Sequence, residues 1–148
     1  MAAQRSRCVT RPAHTVSRGE KAGRGVDGRL FPWGDTIDPS WCSVHHSARG
    51  RPIPASRDAF PSDESVYGVR GMAGNIRDWC QDARIAGGPR IVDEQVYPPE
   101  NSDNETNRII RGGSCRGDGR SSRSAQRMDA HPASRRRTVG FRLCRSMD

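Results

Sequence analysis

The fold of this chain is decided by the stretch YGVRGMAGNIRDW at residues 67–79. Its three glycines alternate with Met72, Trp79 and two arginines, and clustered glycines mark tight or left-handed backbone because glycine lacks a side chain. Two shorter stretches of the same character follow, RGGS at residues 111–114 and GFRL at residues 140–143. We therefore expect loops that fold over a small core rather than long regular elements.

The chain is poor in the aliphatic residues that build large cores. Leu, Ile, Val and Phe make up 21 of its 148 residues, and only Leu30 and Leu143 are leucines. A share below about 20% is typical of disordered chains, and no apolar stripe at helical spacing predicts a helical bundle. Disorder and a loop-rich α+β domain both agree with this composition.

The positions of the aromatic residues separate these two interpretations along the chain. We expect residues 1–18 to be a disordered or unrelated leader, because they are rich in Arg and Ser and lack acidic residues. For residues 19–148 we expect one ordered domain, since the chain has room for one and no more. The side chains expected to hold that domain are aromatic: Trp33, Trp41, Trp79, Phe31, Phe60 and Phe141.

The formal net charge is +8 and is concentrated in arginine near both ends of the chain. Lys21 is the single lysine among 25 basic residues, a bias that indicates a GC-rich coding sequence more than a selected binding surface. Basic surfaces can bind phosphate backbones. No strand here alternates aromatic and basic residues, so nucleic-acid binding is not favoured. No apolar run is long enough to cross a membrane, which does not favour a membrane partner.

Five cysteines lie at positions 8, 42, 80, 115 and 144, and none forms a Cys-x-x-Cys pair. An odd number leaves at least one thiol unpaired, and no apolar signal-peptide segment precedes them. The pattern favours reduced thiols in a cytoplasmic protein.

Local patterns predict a few short regular elements. Residues 20–22 are typical of the end of a helix, because glycines that tolerate a left-handed cap follow directly. Residues 108–111 are the clearest strand, with two adjacent isoleucines. Residues 91–92 and 96–97 are expected to pair as a small hairpin.

The remaining segments are less regular. Residues 72–79 predict either one helical turn or a short strand. Residues 115–138 are polar and rich in Arg, and we expect them to be irregular. Residues 139–145 alternate in polarity, which predicts a closing strand that buries Val139, Phe141 and Leu143.

Six blocks along residues 20–145 together resemble the formylglycine-generating enzyme family, also called the sulfatase-modifying factor family. Members share Glu-Lys-Ala, Pro-Trp-Gly-Asp, a proline-valine-aspartate block, Tyr-Gly-Leu-x-Asp-Met-x-Gly-Asn-Val-x-Glu-Trp, Arg-Gly-Gly-Ser and Gly-Phe-Arg, in that order. Here the blocks stand at residues 20–25, 32–35, 56–61, 67–79, 111–114 and 140–142. Any one block is a weak signal, but their shared order makes the resemblance specific.

The resemblance implies a compact, loop-rich α+β fold of the C-type-lectin kind. Domains of the family are longer than this chain, and a sizeable N-terminal portion precedes their Glu-Lys-Ala block. We therefore expect residues 19–148 to be the C-terminal part of such a domain, incomplete at its N-terminus. A partial domain buries less apolar surface, and small cores are only marginally stable.

Oxygen-dependent members of the family oxidise a cysteine of a client sulfatase to formylglycine with two copper-binding cysteines. Thiolates are soft ligands that hold Cu(I). The family pattern places them three and eight residues beyond the serine of Arg-Gly-Gly-Ser, where this chain has Gly117 and Ser122. Copper binding is therefore not favoured. Cys115 is interpreted as a small buried residue, although neighbouring arginines leave a redox role open.

The family also binds calcium through carboxylates and backbone carbonyls. The resemblance implies five weak calcium ligands: Asp58, Phe60, Gly74, Ile76 and Asp78. Asp58 and the Phe60 carbonyl match one family site, and the other three match the second. Cys42 and Gly71 stand where family members have a side-chain ligand, which weakens both sites. The alternatives are a turn-capping role for Asp78 and a surface ion pair for Asp58.

Two functions follow from the resemblance. The first is a non-catalytic binding or regulatory module with a protein or peptide partner, like the cysteine-free family domains that bacteria append to serine/threonine kinases. The variant GVRGMAGNIRDWC at residues 68–80 resembles that kinase-linked branch, although this chain contains no kinase motif. The alternative is an active oxidase that converts a client sulfatase cysteine to formylglycine, and the missing cysteines argue against it.

Overall fold

The computed structural model describes residues 16–47, 51–85, 90–93, 95–97 and 107–143. The helix α1 within them is Val16–Arg24, and a one-turn 3-10 helix is Gly119–Ser122. The strands are β1 Arg77–Ala83, β2 Arg90–Val92, β3 Gln95–Tyr97, β4 Arg108–Arg111, β5 Arg127–Ala130 and β6 Val139–Gly140. None of the helices in these described ranges has the length and apolar character needed to cross a membrane.

Four strands form the main sheet in the order β5-β4-β1-β6. β4 pairs antiparallel with both β1 and β5, so that Ile110 lies opposite Trp79 on one side and Met128 on the other. β6 runs parallel to β1, while β2 and β3 form a separate antiparallel hairpin. In this register Asp78 lies between Arg111 and Gly140, so all three glycine-rich stretches meet around one residue.

The core beside the sheet is small. Cys42, Val44 and Ala73 form its buried cluster, and Trp33 packs over them. Trp33 in turn stacks on buried Phe31 with ring centroids 5.5 Å apart. Stacked aromatic rings bury much area per residue, which is how so short a list of apolar side chains can cover a core.

Close backbone contacts explain two of the glycines in the motif stretches. A Cβ on Gly74 would lie 2.8 Å from the backbone nitrogen of Ser43, and a Cβ on Gly113 would collide with the Ala73 carbonyl oxygen. Asn75 N–H also donates to the Ser43 carbonyl at 2.8 Å. Only glycine permits such approaches, so residues 67–79 and 111–114 are selected to pack main chain against main chain.

Several sequence-based expectations are confirmed. The helix predicted to end near residues 20–22 ends at Arg24, and Gly25 follows with φ 65°. The strand at residues 108–111 and the hairpin of residues 91–92 with 96–97 are present. Of the two predictions for residues 72–79, the short strand is confirmed from Arg77 onward. Of the leader expected over residues 1–18, residues 16–18 instead belong to α1. Residues 1–15 lie outside the described residues, so for them the leader stays a prediction.

The expectation that residues 115–138 are irregular is wrong in two places. Asp118 caps the 3-10 helix by accepting a hydrogen bond from Ser121 N–H at 2.8 Å. β5 pairs with β4 along its whole length. Its sequence gives no apolar alternation because it is an edge strand in which only Ala130 is buried.

The expectation of a closing strand over residues 139–145 also needs correction. β6 ends at Gly140, and Phe141 and Leu143 are about 70% exposed rather than buried. The residue between them, Arg142, instead turns inward to Asp78. An ion pair has taken the inward position, so polarity alternation assigned the wrong face. Residues 144 and 145 lie outside the described residues.

Arg111 connects α1 to the sheet. Its side chain is 5% exposed and donates to the carbonyls of Ser124, Ala125 and Gln126 at 2.7–3.1 Å. Its Nη2 also donates to Glu20 Oε2 at 3.1 Å. Burial is tolerated because a planar guanidinium can satisfy several acceptors at once.

Glu20 is the shared carboxylate of this cluster. Besides Arg111 it receives hydrogen bonds from Arg24 at 2.9 Å and Arg127 at 2.8 Å. Burial tends to raise the pKa of Glu20, but the hydrogen bonds and charges of the three arginines outweigh it and lower that pKa below 4.5. A carboxylate with a lowered pKa contributes stability above its unfolded pKa that is lost as the pH falls through the folded one.

Substituting Glu20→Gln is expected to lower the free energy of unfolding at pH 7 by about 2 kcal/mol, because it leaves the buried Arg111 without a counter-charge. Urea unfolding would measure the loss. The matched control Asp27→Asn breaks the exposed pair with Arg29 and should cost far less. The difference between wild type and Glu20→Gln should shrink as the pH falls below 4.5, since a protonated Glu20 also lacks charge. A loss independent of pH would contradict this account.

Candidate functional site

Of the two positions that the resemblance aligns with copper-binding thiols, Gly117 lies just before the 3-10 helix and Ser122 is its last residue. Ser122 is fully buried and its hydroxyl faces the Cys42 thiol. A Cβ on Gly117 would lie 2.5 Å from Ser121 Oγ, which is itself held by the carbonyl of Asp118 at 2.8 Å. The turn therefore closes tightly over Gly117 and leaves no room for a larger side chain without rearrangement.

The cysteines of the described residues are held as neutral thiols. None of Cys42, Cys80 and Cys115 forms a disulfide, and all three are buried. Burial raises the pKa of Cys42 to about 12, with the Asp63 carboxylate adding to the effect. It raises the pKa of Cys80 to about 12 as well. A thiol must lose its proton to act as a nucleophile or metal ligand, so these residues are inert at neutral pH.

Cys115 follows the same logic even though two arginines are near it. Burial raises its pKa, and the opposing charges of Arg116 and Arg77 only reduce the effect. Its backbone N–H donates to the Asn75 carbonyl at 2.8 Å. The interpretation of Cys115 as a small buried residue fits this environment better than the redox role.

Ser114 takes part in a turn, as expected for a serine that follows two glycines. Its carbonyl accepts a hydrogen bond from Gly117 N–H at 2.8 Å. Its hydroxyl accepts one from Arg77 Nη1 at 2.9 Å. Arg77 is thus the side chain that contacts this turn, and it was not predicted from the sequence.

An open cavity of about 700 Å³ lies on the surface beside the start of β1. Arg142 forms its inner wall. Its Nε donates to Asp78 Oδ2 at 2.5 Å and its Nη1 to the Arg70 carbonyl at 2.6 Å, while Nη2 donates to the Gly71 carbonyl. Arg111 and Arg142 thus both bond backbone carbonyls.

The five residues implied as calcium ligands are distributed around this cavity and the core. Asp78 is buried and paired with Arg142, and Asp58 is paired with Arg70 at 3.2 Å on the surface. The carbonyl of Phe60 accepts a hydrogen bond from Asp63 N–H at 3.1 Å. The two remaining residues line other contacts: Gly74 packs on Ser43, and Ile76 packs on Gly140.

As arranged, the carboxylates of this set face guanidinium groups rather than an open cage of oxygen atoms. A calcium ion at Asp78 would have to displace Arg142, which already supplies a positive charge there. The donor set in this arrangement does not fit calcium, and we derive no chemistry through it. Calcium binding stays a prediction.

Asp63 is a structural centre that sequence reasoning missed. It is buried and accepts hydrogen bonds from the backbone N–H groups of Met72, Ala73 and Gly74 at 3.1–3.3 Å. Burial raises its pKa, and these three donors only partly oppose the shift. An acidic residue just before a glycine-rich stretch is the signal that could have identified it, because such backbone bends expose N–H groups that need an acceptor.

Comparison with known proteins identifies the family of this chain. A family model described as the sulfatase-modifying factor enzyme 1-like domain matches residues 15–147. The chain belongs to this family. The resemblance drawn from the six sequence blocks is thereby confirmed.

Two curated relatives are much longer than this chain. Serine/threonine-protein kinase pkn1 of Chlamydia caviae is 27% identical over 83% of this chain, and the match spans 19% of the kinase. The uncharacterized protein YfmG of Bacillus subtilis is 31% identical over 42% of this chain and 17% of its own length. The chain therefore spans less than a fifth of each relative.

Solved structures share the fold of this sulfatase-modifying factor domain. PvdO from Pseudomonas aeruginosa superposes with a TM-score of 0.68 at 23% identity, over 88% of this chain and 50% of that one. Treponema denticola variable protein 1 gives a TM-score of 0.67 at 22% identity, over 87% and 45%. At this level of identity the likeness supports the fold and nothing more about function.

The buried thiols give a direct prediction. In a Cys8→Ser/Cys144→Ser variant, which removes the two cysteines outside the described residues, Ellman's reagent should not react with the native protein at pH 8. For Cys42 and Cys80, a pKa of about 12 leaves roughly one thiol in 10,000 ionised, and burial also raises the pKa of Cys115. Three equivalents should react after unfolding in guanidinium. One equivalent that reacts within seconds in the native state would contradict the assignment of inert thiols.

Proposed function

We propose that this chain is a non-catalytic binding or regulatory module of the sulfatase-modifying factor family. The observation that carries the proposal is the chemistry of the turn at residues 117–122. Glycine and serine stand where the oxygen-dependent enzymes of the family have their two thiols. Neither residue can supply the soft ligand that Cu(I) needs.

The surrounding structure supports the same conclusion. Each described cysteine is buried with a raised pKa, so no neighbouring thiol is poised to take over the lost role. The turn itself is packed around Gly117 by Ser121. A binding role needs only the scaffold, which the arginine–carboxylate pairs maintain.

The relationship to pkn1 supports a regulatory setting. In that kinase the matching segment is a small part of a much longer chain, which agrees with a module that accompanies other domains. We propose a protein or peptide partner for the module and a cytoplasmic location. The C-type-lectin character of the fold belongs to the same proposal.

The second candidate is an active oxidase, which family membership favours on its own. To decide between the two, the purified full chain is incubated with a Cys-x-Pro-x-Arg peptide, copper and oxygen, and the aldehyde product is sought by mass spectrometry. The proposal predicts no product above the peptide-only background. An active oxidase of the family, run in parallel, shows that the conditions support turnover.

Sustained aldehyde formation by the wild-type chain would overturn the proposal. A Gly117→Cys/Ser122→Cys variant is the matched test of the reason behind it. The account expects copper binding to appear in this variant if the turn can rearrange around the new side chains. Product formed equally by wild type and by a Cys42→Ser/Cys115→Ser variant would indicate a contaminating oxidant rather than this chain.

A further inference from the structure

Arg77 stands apart from the other partly buried arginines of the described residues. It is half-buried at the start of β1, its Nε is fully shielded from solvent, and that Nε has no hydrogen-bond partner. The side-chain bond that it does make is the one from Nη1 to the neutral hydroxyl of Ser114. Its guanidinium therefore carries a positive charge that no carboxylate among the described residues balances.

Many other arginines of the described residues have a carboxylate partner. Seven form an ion pair at 3.1 Å or less: Arg24, Arg29, Arg70, Arg84, Arg111, Arg127 and Arg142. Burial lowers the pKa of Arg77, and the largest charge effect on it is that of the like charge of Arg136. Leaving a partly buried charge uncompensated is costly. Half-buried Arg108 also has no ion pair among the described residues, but its guanidinium bonds the Gln81 carbonyl at 3.1 Å, whereas Arg77 has a shielded Nε without a partner.

The surroundings of Arg77 form a basic corner. Arg136 precedes β6, the strand that pairs with the start of β1, and Arg116 adjoins Cys115, whose pKa is raised by burial and lowered in part by the charges of both Arg116 and Arg77. Both Arg116 and Arg136 are exposed and form no ion pair within the described part of the chain. A Cβ on Gly117 would lie 3.6 Å from Arg77 Nη2, so the absence of a side chain at residue 117 keeps that edge of the guanidinium open.

We propose that Arg77, with Arg116 and Arg136 around it, binds an oxyanion, a phosphate or carboxylate group, at the turn where the family's oxidising enzymes carry their thiols. A guanidinium fork matches the paired oxygens of such groups, and charge-assisted hydrogen bonds of this kind are about twice as strong as neutral ones. The oxyanion supplies the counter-charge that no carboxylate of the described residues provides. This site deepens the proposed function and rests on it for the conclusion that the group is bound rather than transformed.

A purely structural role is the competing explanation, in which Arg77 only props the Ser114 turn. The two explanations differ in what an added anion does. If the role is structural, phosphate has no saturable effect. If the role is binding, phosphate shifts the resonances of residues 114–117 and raises the thermal midpoint, and both effects depend on Arg77.

The probes are inorganic phosphate and acetate, titrated in turn into the ¹⁵N-labelled full chain at constant ionic strength. We expect saturable shifts of the Ser114 and Gly117 amides with a millimolar dissociation constant for at least one of them. The anion that binds more tightly identifies the source as phosphoryl or carboxylate. Arg77→Gln should weaken binding at least tenfold. Arg77→Lys, which keeps the charge but loses the fork, should weaken it by a smaller factor.

The matched control is Arg57→Gln, which removes an exposed arginine of the open cavity that Arg142 lines and should leave the dissociation constant unchanged. If neither anion gives saturable shifts, or if the control weakens binding as much as Arg77→Gln, the site is refuted. Should Arg77→Gln prove unfolded by circular dichroism, the Lys variant decides. Aldehyde formation with intact phosphate binding would refute the non-catalytic function alone, whereas loss of phosphate binding would refute the site alone.

Discussion

Buried guanidinium groups, each held by a carboxylate and by backbone carbonyls, are the constraint on which the rest of this structure depends. Arg111 ties α1 to β4 through Glu20, and Arg142 ties residues 70–71 to β1 through Asp78. Because the chain has so few aliphatic residues, these ion pairs and hydrogen bonds hold its elements together where other proteins rely on apolar packing. They also fix chain segments far apart in sequence, because one planar group reaches several acceptors at once.

This constraint explains why some features could be predicted from the sequence and others could not. Strand β4 was predictable because Ile109 and Ile110 form an adjacent apolar pair. The exposure of Phe141 was not, since alternation of polarity assumes that the apolar residue faces inward, whereas here Arg142 does so. β5 gave no signal because it is an edge strand held by main-chain bonds to β4 rather than by buried side chains.

The candidate site shows the same division. The sequence identified Gly117 and Ser122 because a missing thiol is visible without a structure. It could not identify Arg77, whose neighbours Ser114 and Arg136 are 37 or more positions away and meet it only through the pairing of β1 with β4 and β6. Asp63 was missed for a related reason, since its three partners are backbone groups, and only its place before the glycine-rich stretch signals them.

Under the proposed function, the chain keeps the family scaffold without the reactive group of the oxidising enzymes. The turn that the resemblance aligns with their thiols presents glycine, serine and a nearby guanidinium. Thiolates and copper favour redox chemistry, whereas an uncompensated guanidinium favours reversible binding of an anion. The scaffold and the reactive group are thus separable, as fold and function are in general.

Competition for Cu(I) with a chelator distinguishes buried, protonated thiols from a thiolate site that binds copper. Wild type and the Cys8→Ser/Cys144→Ser variant are titrated, under anaerobic conditions, into a coloured complex of Cu(I) with a bathocuproine chelator. The account predicts that the variant leaves the chelator colour unchanged, because each thiol of its described residues is buried and protonated. Withdrawal of one equivalent of copper by the variant, abolished by Cys42→Ser or Cys115→Ser, would show a thiolate site in the folded chain and contradict the account.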